Sequence, residues 1–94
     1  MIRSFRGKFA EAVFSGECPK GFPATLVKAS RRKLEMINAA VRLDDLRYPP
    51  GNRLEALQGD RKGQHSIRIN GQFRVYFVWT ADGPIDVEIV DYHD

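Results

Sequence analysis

Three consecutive side chains late in the sequence can each move or orient a proton. Asp91, Tyr92 and His93 carry a carboxylate, a phenol and an imidazole, and they follow a strand-like run at residues 85–90. An imidazole suits proton transfer near neutral pH, and Asp91 could orient it or act as a base itself. Tyr92 could donate a hydrogen bond or stack on a nucleobase. The pattern indicates acid–base chemistry; the alternative is a frayed polar end of the chain.

A group of cations precedes these residues in the sequence. Arg61, Lys62, Arg68 and Arg74 lie within or beside a hairpin-like segment. Cleavage of RNA without a metal needs a deprotonated 2′-hydroxyl, a stabilised phosphorane and a protonated leaving oxygen. Arginine suits the phosphorane because its planar guanidinium can donate hydrogen bonds to two phosphate oxygens at once. Acid–base groups beside an anion-binding surface therefore point to RNA phosphodiester cleavage.

The register of the hairpin decides where the arginines point. A two-residue turn at Asn70 and Gly71 would mix apolar and charged side chains on both faces. A three-residue loop at 70–72 separates them. One face is then apolar: Ile67, Ile69, Phe73, Val75, Phe77 and Trp79. The other face holds Ser66, Arg68, Arg74 and Tyr76. Burial of one face fixes register strongly, so the sequence predicts Arg68 and Arg74 as cross-strand neighbours on an open face.

Two like charges opposite each other in a sheet destabilise it unless an anion lies between them. A carboxylate from a neighbouring strand is one solution, and a bound phosphate is the other. In the last strand, alternation directs Glu88, Val90 and Tyr92 toward the arginines. Asp91 and His93 would face the core unless the strand bulges or leaves the sheet after Val90.

The order of elements predicts an α+β fold with a single domain over residues 1–94. Helical spacing indicates a first helix at 7–14 and a second from Pro23 to about Arg42. Strand-like segments occur at 2–5, 53–57, 64–69, 73–79 and 85–90. We expect a twisted antiparallel sheet with two helices from the N-terminal half packed on one face.

Charge and composition narrow the functional classes. The net charge is +3, but the charges are unevenly distributed. Residues 77–94 hold five acidic residues and no Lys or Arg, so the last strand is acidic and the rest of the chain is basic. A cluster on the second helix is either a solvated face or a phosphate contact: Lys28, Arg31, Arg32 and Lys33. The single Cys18 excludes an intramolecular disulfide and a cysteine-based metal site. No apolar run is long enough to span a membrane, and no signal core is evident. We expect a cytoplasmic protein without metal or cofactor.

Several short motifs together resemble one known family. They are Gly59-Asp60-Arg61, Ser66-Ile67, Arg74-Val75 and Asp91-Tyr92-His93. This combination is similar to the HigB-type branch of the RelE/ParE toxins, and the similarity extends over essentially the whole chain. It implies a toxin of a type II toxin–antitoxin system, with an α+β fold, that cuts mRNA on the 70S ribosome. It also implies inhibition by a small helix-turn-helix antitoxin, which alone contacts operator DNA.

The resemblance carries functional roles to particular positions. The family's functional residues correspond here to Arg74, Asp91, Tyr92 and His93. Catalytic HigB-type toxins place a histidine where this chain has Glu55, and a glutamate ordinarily titrates about two pH units below a histidine. Glu55 is therefore a candidate general base with a weaker match to neutral pH. His65 could compensate, although a core-packed, hydrogen-bonded histidine is the preferred interpretation for it. The alternative function is a non-catalytic ParE-like toxin that binds a protein target such as gyrase.

Overall fold

The computed structural model describes residues 1–92 and confirms the predicted α+β fold. Two helices come first, α1 at Ala10–Phe14 and α2 at Val27–Ala39. The strands are β1 Glu55–Ala56, β2 His65–Arg68, β3 Phe73–Thr80 and β4 Gly83–Asp91. They form one antiparallel sheet in the order β1-β2-β3-β4. Short 3₁₀ turns connect the elements at Ala24–Leu26, Leu43–Arg47, Pro50–Asn52 and Gly59–Arg61.

The hydrophobic core lies between the helices and one side of the sheet, which we call the apolar face. Helical residues Ala10, Val13, Leu34 and Ile37 contribute to it. The apolar face supplies Ile67, Phe73, Val75, Phe77, Val87 and Ile89. The rings of Phe22 and Phe73 meet with centroids 5.3 Å apart. Both helices therefore pack on one face, as the sequence predicted. No helix within residues 1–92 is long and apolar enough to cross a membrane.

The β2–β3 hairpin has the predicted register. Ile67 pairs with Val75 and Arg68 pairs with Arg74, which leaves the three-residue loop 70–72. The side chain of Asn70 closes this loop because its Oδ1 accepts the backbone N–H groups of residues 72 and 73 at 2.9 and 2.7 Å. Such a local side-chain bond is a common device of Asn in turns. Arg68 and Arg74 are thus cross-strand neighbours.

The second helix ends earlier than predicted. It stops at Ala39, and Ala40 is already extended with φ −63° and ψ 134°. The carboxylate of Asp45 explains the break, because its Oδ2 accepts the backbone N–H groups of Val41 and Arg42, both at 3.0 Å. These two bonds favour the ionised form and lower the pKa of Asp45. This local capping interaction starts a new turn after Ala39. The spacing of apolar residues did not reveal it and therefore predicted a longer helix.

The predicted strand at residues 2–5 is wrong in extent. Phe5 alone forms a bridge, and it lies parallel to Val87 of β4. This docking coincides with a bulge in β4, where Asp86 has a φ of 52° and two residues oppose one on β3. Ser4 stabilises the bulge because its hydroxyl accepts the N–H of Asp86 at 2.8 Å. After the bulge β4 stays regular through Asp91, which pairs with Phe73.

Candidate active site on the polar face of the sheet

The side of the sheet away from the helices carries a polar cluster, which we call the polar face: Ser66, Arg74, Tyr76, Glu88 and Tyr92. Arg74 lies at its centre and is only 6% exposed. Its Nη1 donates to Ser66 Oγ at 2.6 Å. The two carboxylate oxygens of Glu55 lie 3.4 Å from Nη1 and 3.4 Å from Nη2. Its guanidinium carbon is 5.4 Å from the ring centroid of Tyr92. The structure therefore brings the candidates Glu55, Arg74 and Tyr92 together.

Arg74 is buried, which corrects the expectation of an open face. Strands on both sides cover it, because Ser66 and Glu55 come from β2 and β1 while Tyr92 follows β4. Of the two solutions for the Arg68–Arg74 repulsion, the structure contains the carboxylate, which is Glu55. The Glu55 side chain is 56% exposed. The ion pair between Glu55 and Arg74 is therefore screened by solvent, and an incoming phosphate could replace the Glu55 carboxylate.

A second cation covers the next part of the polar face. The guanidinium of Arg61 lies 4.5 Å from the ring centroid of Tyr76, and its Nη1 is 3.6 Å from Glu88 Oε1. Lys62 is exposed beside it. Here a shallow groove of about 460 Å³ has Arg6, Arg61 and Lys62 in its lining, together with two aspartates. Sequence reasoning missed Arg6, because only the Phe5–Val87 bridge brings the N-terminal segment beside this groove.

The basic residues of α2 belong to the helix layer, and of the four only Lys33 is near a hairpin arginine, Arg68. Lys28, Arg31 and Arg32 are exposed on the helix layer, so the structure does not join them to Arg74. Lys33 is half-buried, and its Nζ donates to Oδ1 of the buried Asn52. Burial, followed by the charges of two nearby arginines, lowers the pKa of Lys33. Lys33 thus makes an internal contact. The other three cations are exposed, and Arg31 also donates from Nε to the backbone carbonyl of Phe14 at 3.2 Å.

Alternation at the end of β4 separates Asp91 from Tyr92. Tyr92 lies against Arg74 as predicted. Asp91 pairs with Phe73, which directs it to the apolar side, where it is exposed and accepts a hydrogen bond from Gln72 Nε2 at 3.2 Å. His93 lies outside the described residues. The structure therefore places Tyr92, and not Asp91, in contact with the guanidinium of Arg74.

His65 is on the apolar side of β2, away from Arg74. It is half-buried and stacks on Phe77 with ring centroids 6.3 Å apart. The packing expected for it is confirmed. The hydrogen bond expected with that packing is not found at Nδ1, which is buried and has no partner within residues 1–92.

A metal site is not evident among residues 1–92. No group of three or more His, Cys, Asp or Glu side chains in this range is placed to hold a metal ion.

Comparison with known proteins identifies the family. Residues 3–93 match the family described as the RelE-like toxin of the type II toxin-antitoxin system HigB. The chain belongs to this HigB-like family. It is 42% identical over 84 residues to Toxin HigB-1 of Vibrio cholerae serotype O1, covering 88% of this chain and 87% of that protein. It is 29% identical over 93 residues to Endoribonuclease HigB of Proteus vulgaris, covering 99% of this chain and 100% of that protein.

Membership of the HigB-like family confirms the resemblance seen in the sequence motifs. The chain is a toxin of a type II toxin–antitoxin system, and this class of toxin has an antitoxin partner. The observed sheet with two helices on one face agrees with a RelE-like toxin. The polar face with Arg74 is thus the candidate active site of a HigB-like toxin.

Proposed function

We propose that this HigB-like toxin is a ribosome-dependent endoribonuclease that cuts mRNA and thereby inhibits translation and growth. The observation that carries the proposal is the guanidinium of Arg74, held between Ser66 and Glu55 with the ring of Tyr92 beside it. A buried, fixed cation next to a displaceable carboxylate suits a phosphate whose charge rises in the transition state. The similarity to a protein named Endoribonuclease HigB, over 99% of this chain, supports the same reaction.

The proposed reaction is an attack of the 2′-oxygen on the adjacent phosphorus, with departure of the 5′-oxygen. Arg74 stabilises the phosphorane oxygens, because hydrogen bonds to a charged donor are stronger than neutral ones. Glu55 takes the 2′-hydroxyl proton after the phosphate displaces it from Arg74. Tyr92 stacks on a base or donates a hydrogen bond. His93 in its protonated form gives the proton to the departing 5′-oxygen. Asp91, which is directed to the other side of the sheet from Arg74, acts only through His93, as the group that orients it. Protein side chains thus fill every role without a metal or cofactor.

Binding to the ribosome is proposed to use exposed and half-buried cations at the surface. Arg61, Lys62 and Arg68 adjoin the polar face, whereas Lys28, Arg31 and Arg32 extend the positive surface over the helix layer. Contacts between cations and phosphates supply most nonspecific affinity for RNA. We propose that the toxin acts in the cytoplasm and that a HigA-like helix-turn-helix antitoxin inhibits it. Contact with operator DNA would then occur only through the antitoxin.

Mapping of mRNA 5′ ends after brief induction of the toxin tests the proposal. We expect new 5′ ends within translated regions, and none after induction of an Arg74→Ala variant. Purified toxin should cut mRNA bound to ribosomes and leave the free mRNA intact. Growth arrest without new 5′ ends would favour the ParE-like alternative, and inhibition of purified gyrase would then support it. Cleavage of free mRNA at the same rate would contradict dependence on the ribosome.

Charge reversal tests the proposed docking surface. Changing Lys28, Arg31 and Arg32 to Glu should weaken binding to ribosomes. It should also reduce the slope of log Kd against log salt by roughly 0.7 for each lost phosphate contact, the value for single strands. The matched control changes Lys8, Lys20 and Arg47, three other exposed cations, to Glu. Equal slopes for the two triple variants would place the docking surface elsewhere.

A further inference from the structure

The burial of Arg74 requires compensation. Arg74 is among the few polar or charged residues in the described chain that are almost completely buried. A buried guanidinium lowers stability unless its N–H groups find partners. An unheld arginine side chain also has many rotamers, and fixing them costs free energy. The groups that hold Arg74 therefore decide how well its position is defined before a phosphate arrives.

Ser66 is the most fixed of these groups. Its side chain is 0% exposed and lies on β2, directly opposite Tyr76 and diagonally opposite Arg74. The 2.6 Å distance from Ser66 Oγ to Arg74 Nη1 is short for an N–H···O bond. A serine side chain has a single rotatable bond to its oxygen, so little freedom is left once β2 and β3 have paired. Water is excluded from this bond by the burial of both residues.

Glu55 holds Arg74 differently from Ser66. Its side chain is 56% exposed, and both of its contacts with the guanidinium are 3.4 Å long. It comes from β1, which has only two residues. A phosphate can replace a screened, exposed carboxylate, but it cannot replace a hydroxyl buried behind the guanidinium. One nitrogen of Arg74 is therefore anchored inside the protein, while the carboxylate faces solvent.

We propose that Ser66 is a positioning residue, whose buried hydroxyl holds Nη1 of Arg74 so that the guanidinium meets the reacting phosphate in one orientation. Ser66 does not touch the substrate and acts through Arg74. The inference rests on the proposed role of Arg74 at the phosphate. Loss of the hydroxyl should leave Arg74 in place as a charge but free to rotate. The cleavage rate should then fall more than the affinity for mRNA.

Ser66→Ala provides the kinetic test. Single-turnover cleavage of ribosome-bound mRNA should slow by about 10- to 100-fold, the usual consequence of losing orientation at a reacting centre. The concentration of ribosome–mRNA complex at half-maximal rate should change by less than about threefold. In an Arg74→Ala background the same substitution should change the residual rate by less than about twofold, because the two residues act as a unit. Additive effects of Ser66→Ala and Arg74→Ala would overturn the proposal.

Ser30 offers a matched control. It is also 0% exposed, but it lies in α2 and its Oγ has no hydrogen-bond partner in the described part of the chain. Ser30→Ala thus removes an equally buried hydroxyl that does not contact Arg74, and it should leave the cleavage rate unchanged. Ser66→Thr keeps the hydroxyl and should recover most of the rate lost in Ser66→Ala. Equal loss in Ser30→Ala and Ser66→Ala would assign the effect to packing alone.

Nuclear magnetic resonance of the wild-type toxin tests the anchor without any variant that must fold. A held guanidinium gives separate Nη1 and Nη2 signals, whereas free rotation averages them. We expect separate signals for Arg74, and averaging in Ser66→Ala where that variant folds. Averaged signals in the wild-type protein would overturn the proposal. If the wild-type toxin does not cut mRNA, the proposed function fails, whereas the signals of Arg74 still decide whether Ser66 fixes it.

Discussion

The two faces of the sheet are buried by different means. The apolar face is covered by a separate layer of helices, and Val75 and Phe77 on it are 0% exposed. The polar face has no such layer, yet its residues Arg74 and Tyr76 are only 6% and 5% exposed. Side chains from neighbouring strands and from the 3₁₀ turn at Gly59–Arg61 cover them instead.

The difference shows that burial alone does not identify the core of this protein. Packing of apolar side chains stabilises the fold directly. Burial of a guanidinium among polar groups contributes little net stability, because desolvation offsets the attraction to its partners. The polar groups on the polar face therefore orient the guanidinium of Arg74 and add little to the stability of the fold. Substitutions on adjacent residues of β3 can separate these two kinds of burial.

The largest effect should come from the apolar face. Phe77→Ala removes a fully buried ring and should lower the free energy of unfolding by about 3–5 kcal/mol. Its neighbour Tyr76→Ala should cost clearly less, because Arg61 above its ring is a flexible side chain that is 41% exposed and can move into the space. Urea unfolding of both variants checks this. Equal losses would show that the polar face packs as a second core.

The next effect concerns activity on the polar face. Arg74→Ala should reduce cleavage by about 10²–10³-fold, as for loss of one group that stabilises transition-state charge. Arg68→Ala, its cross-strand neighbour, should reduce cleavage less, because Arg68 is only half-buried and acts on substrate binding. Single-turnover assays at saturating ribosome–mRNA complex compare them. Antitoxin binding serves as the check on folding, and full activity of a folded Arg74→Ala toxin would remove Arg74 from the mechanism.

A third comparison concerns Glu55 as base and as counter-ion. Glu55→Gln should slow cleavage by about 10²-fold, at the lower end for a general base. It should change stability by less than about 1 kcal/mol, because an exposed ion pair contributes little. Glu55→His should exceed Glu55→Gln in cleavage rate at pH 7, since imidazole accepts a proton near that pH. Faster cleavage by Glu55→Gln than by the wild type would mean that Glu55 only blocks Arg74.

The smallest effect should come from the ring of Tyr92. Tyr92→Ala removes a partly exposed contact between a cation and a ring, which is worth about 0.5–1 kcal/mol. If the transition state loses this free energy, the cleavage rate should fall by about two- to fivefold. Tyr92→Phe keeps the ring and should retain the rate. A much larger loss in Tyr92→Phe would assign a proton-transfer role to the hydroxyl.

The hairpin shows how much of the fold and site the sequence contained. Alternation of apolar residues on β2 and β3 fixed the pairing of Arg68 with Arg74, because any other register would expose the core. The same alternation directed Tyr92 toward Arg74. These predictions succeeded because strand periodicity is a local property of the chain.

The contacts that were not predicted depend on residues distant in the sequence. Glu55 reaches Arg74 from a strand of two residues, which is too short to show alternation. Ser66 was assigned to the correct face, but nothing in its local sequence indicated that Arg74 would bond to it. The bulge at Asp86 is stabilised by a bond to Ser4, which is distant in sequence. Each of these is a tertiary contact that overrides local preference. The end of α2 is different, because the carboxylate of Asp45 acts locally on the next turn.

The place of β4 in the sheet has a consequence for how the toxin is made. β4 is synthesised after the other described elements, and it pairs with β3 on one side and with the segment around Ser4 on the other. A nascent chain that has reached Thr80 already carries Glu55, Ser66 and Arg74, but it lacks Tyr92. Assembly of the site is therefore coupled to the joining of early and late segments of the chain. The complete site therefore forms only after β4 has paired with β3 and with the N-terminal segment.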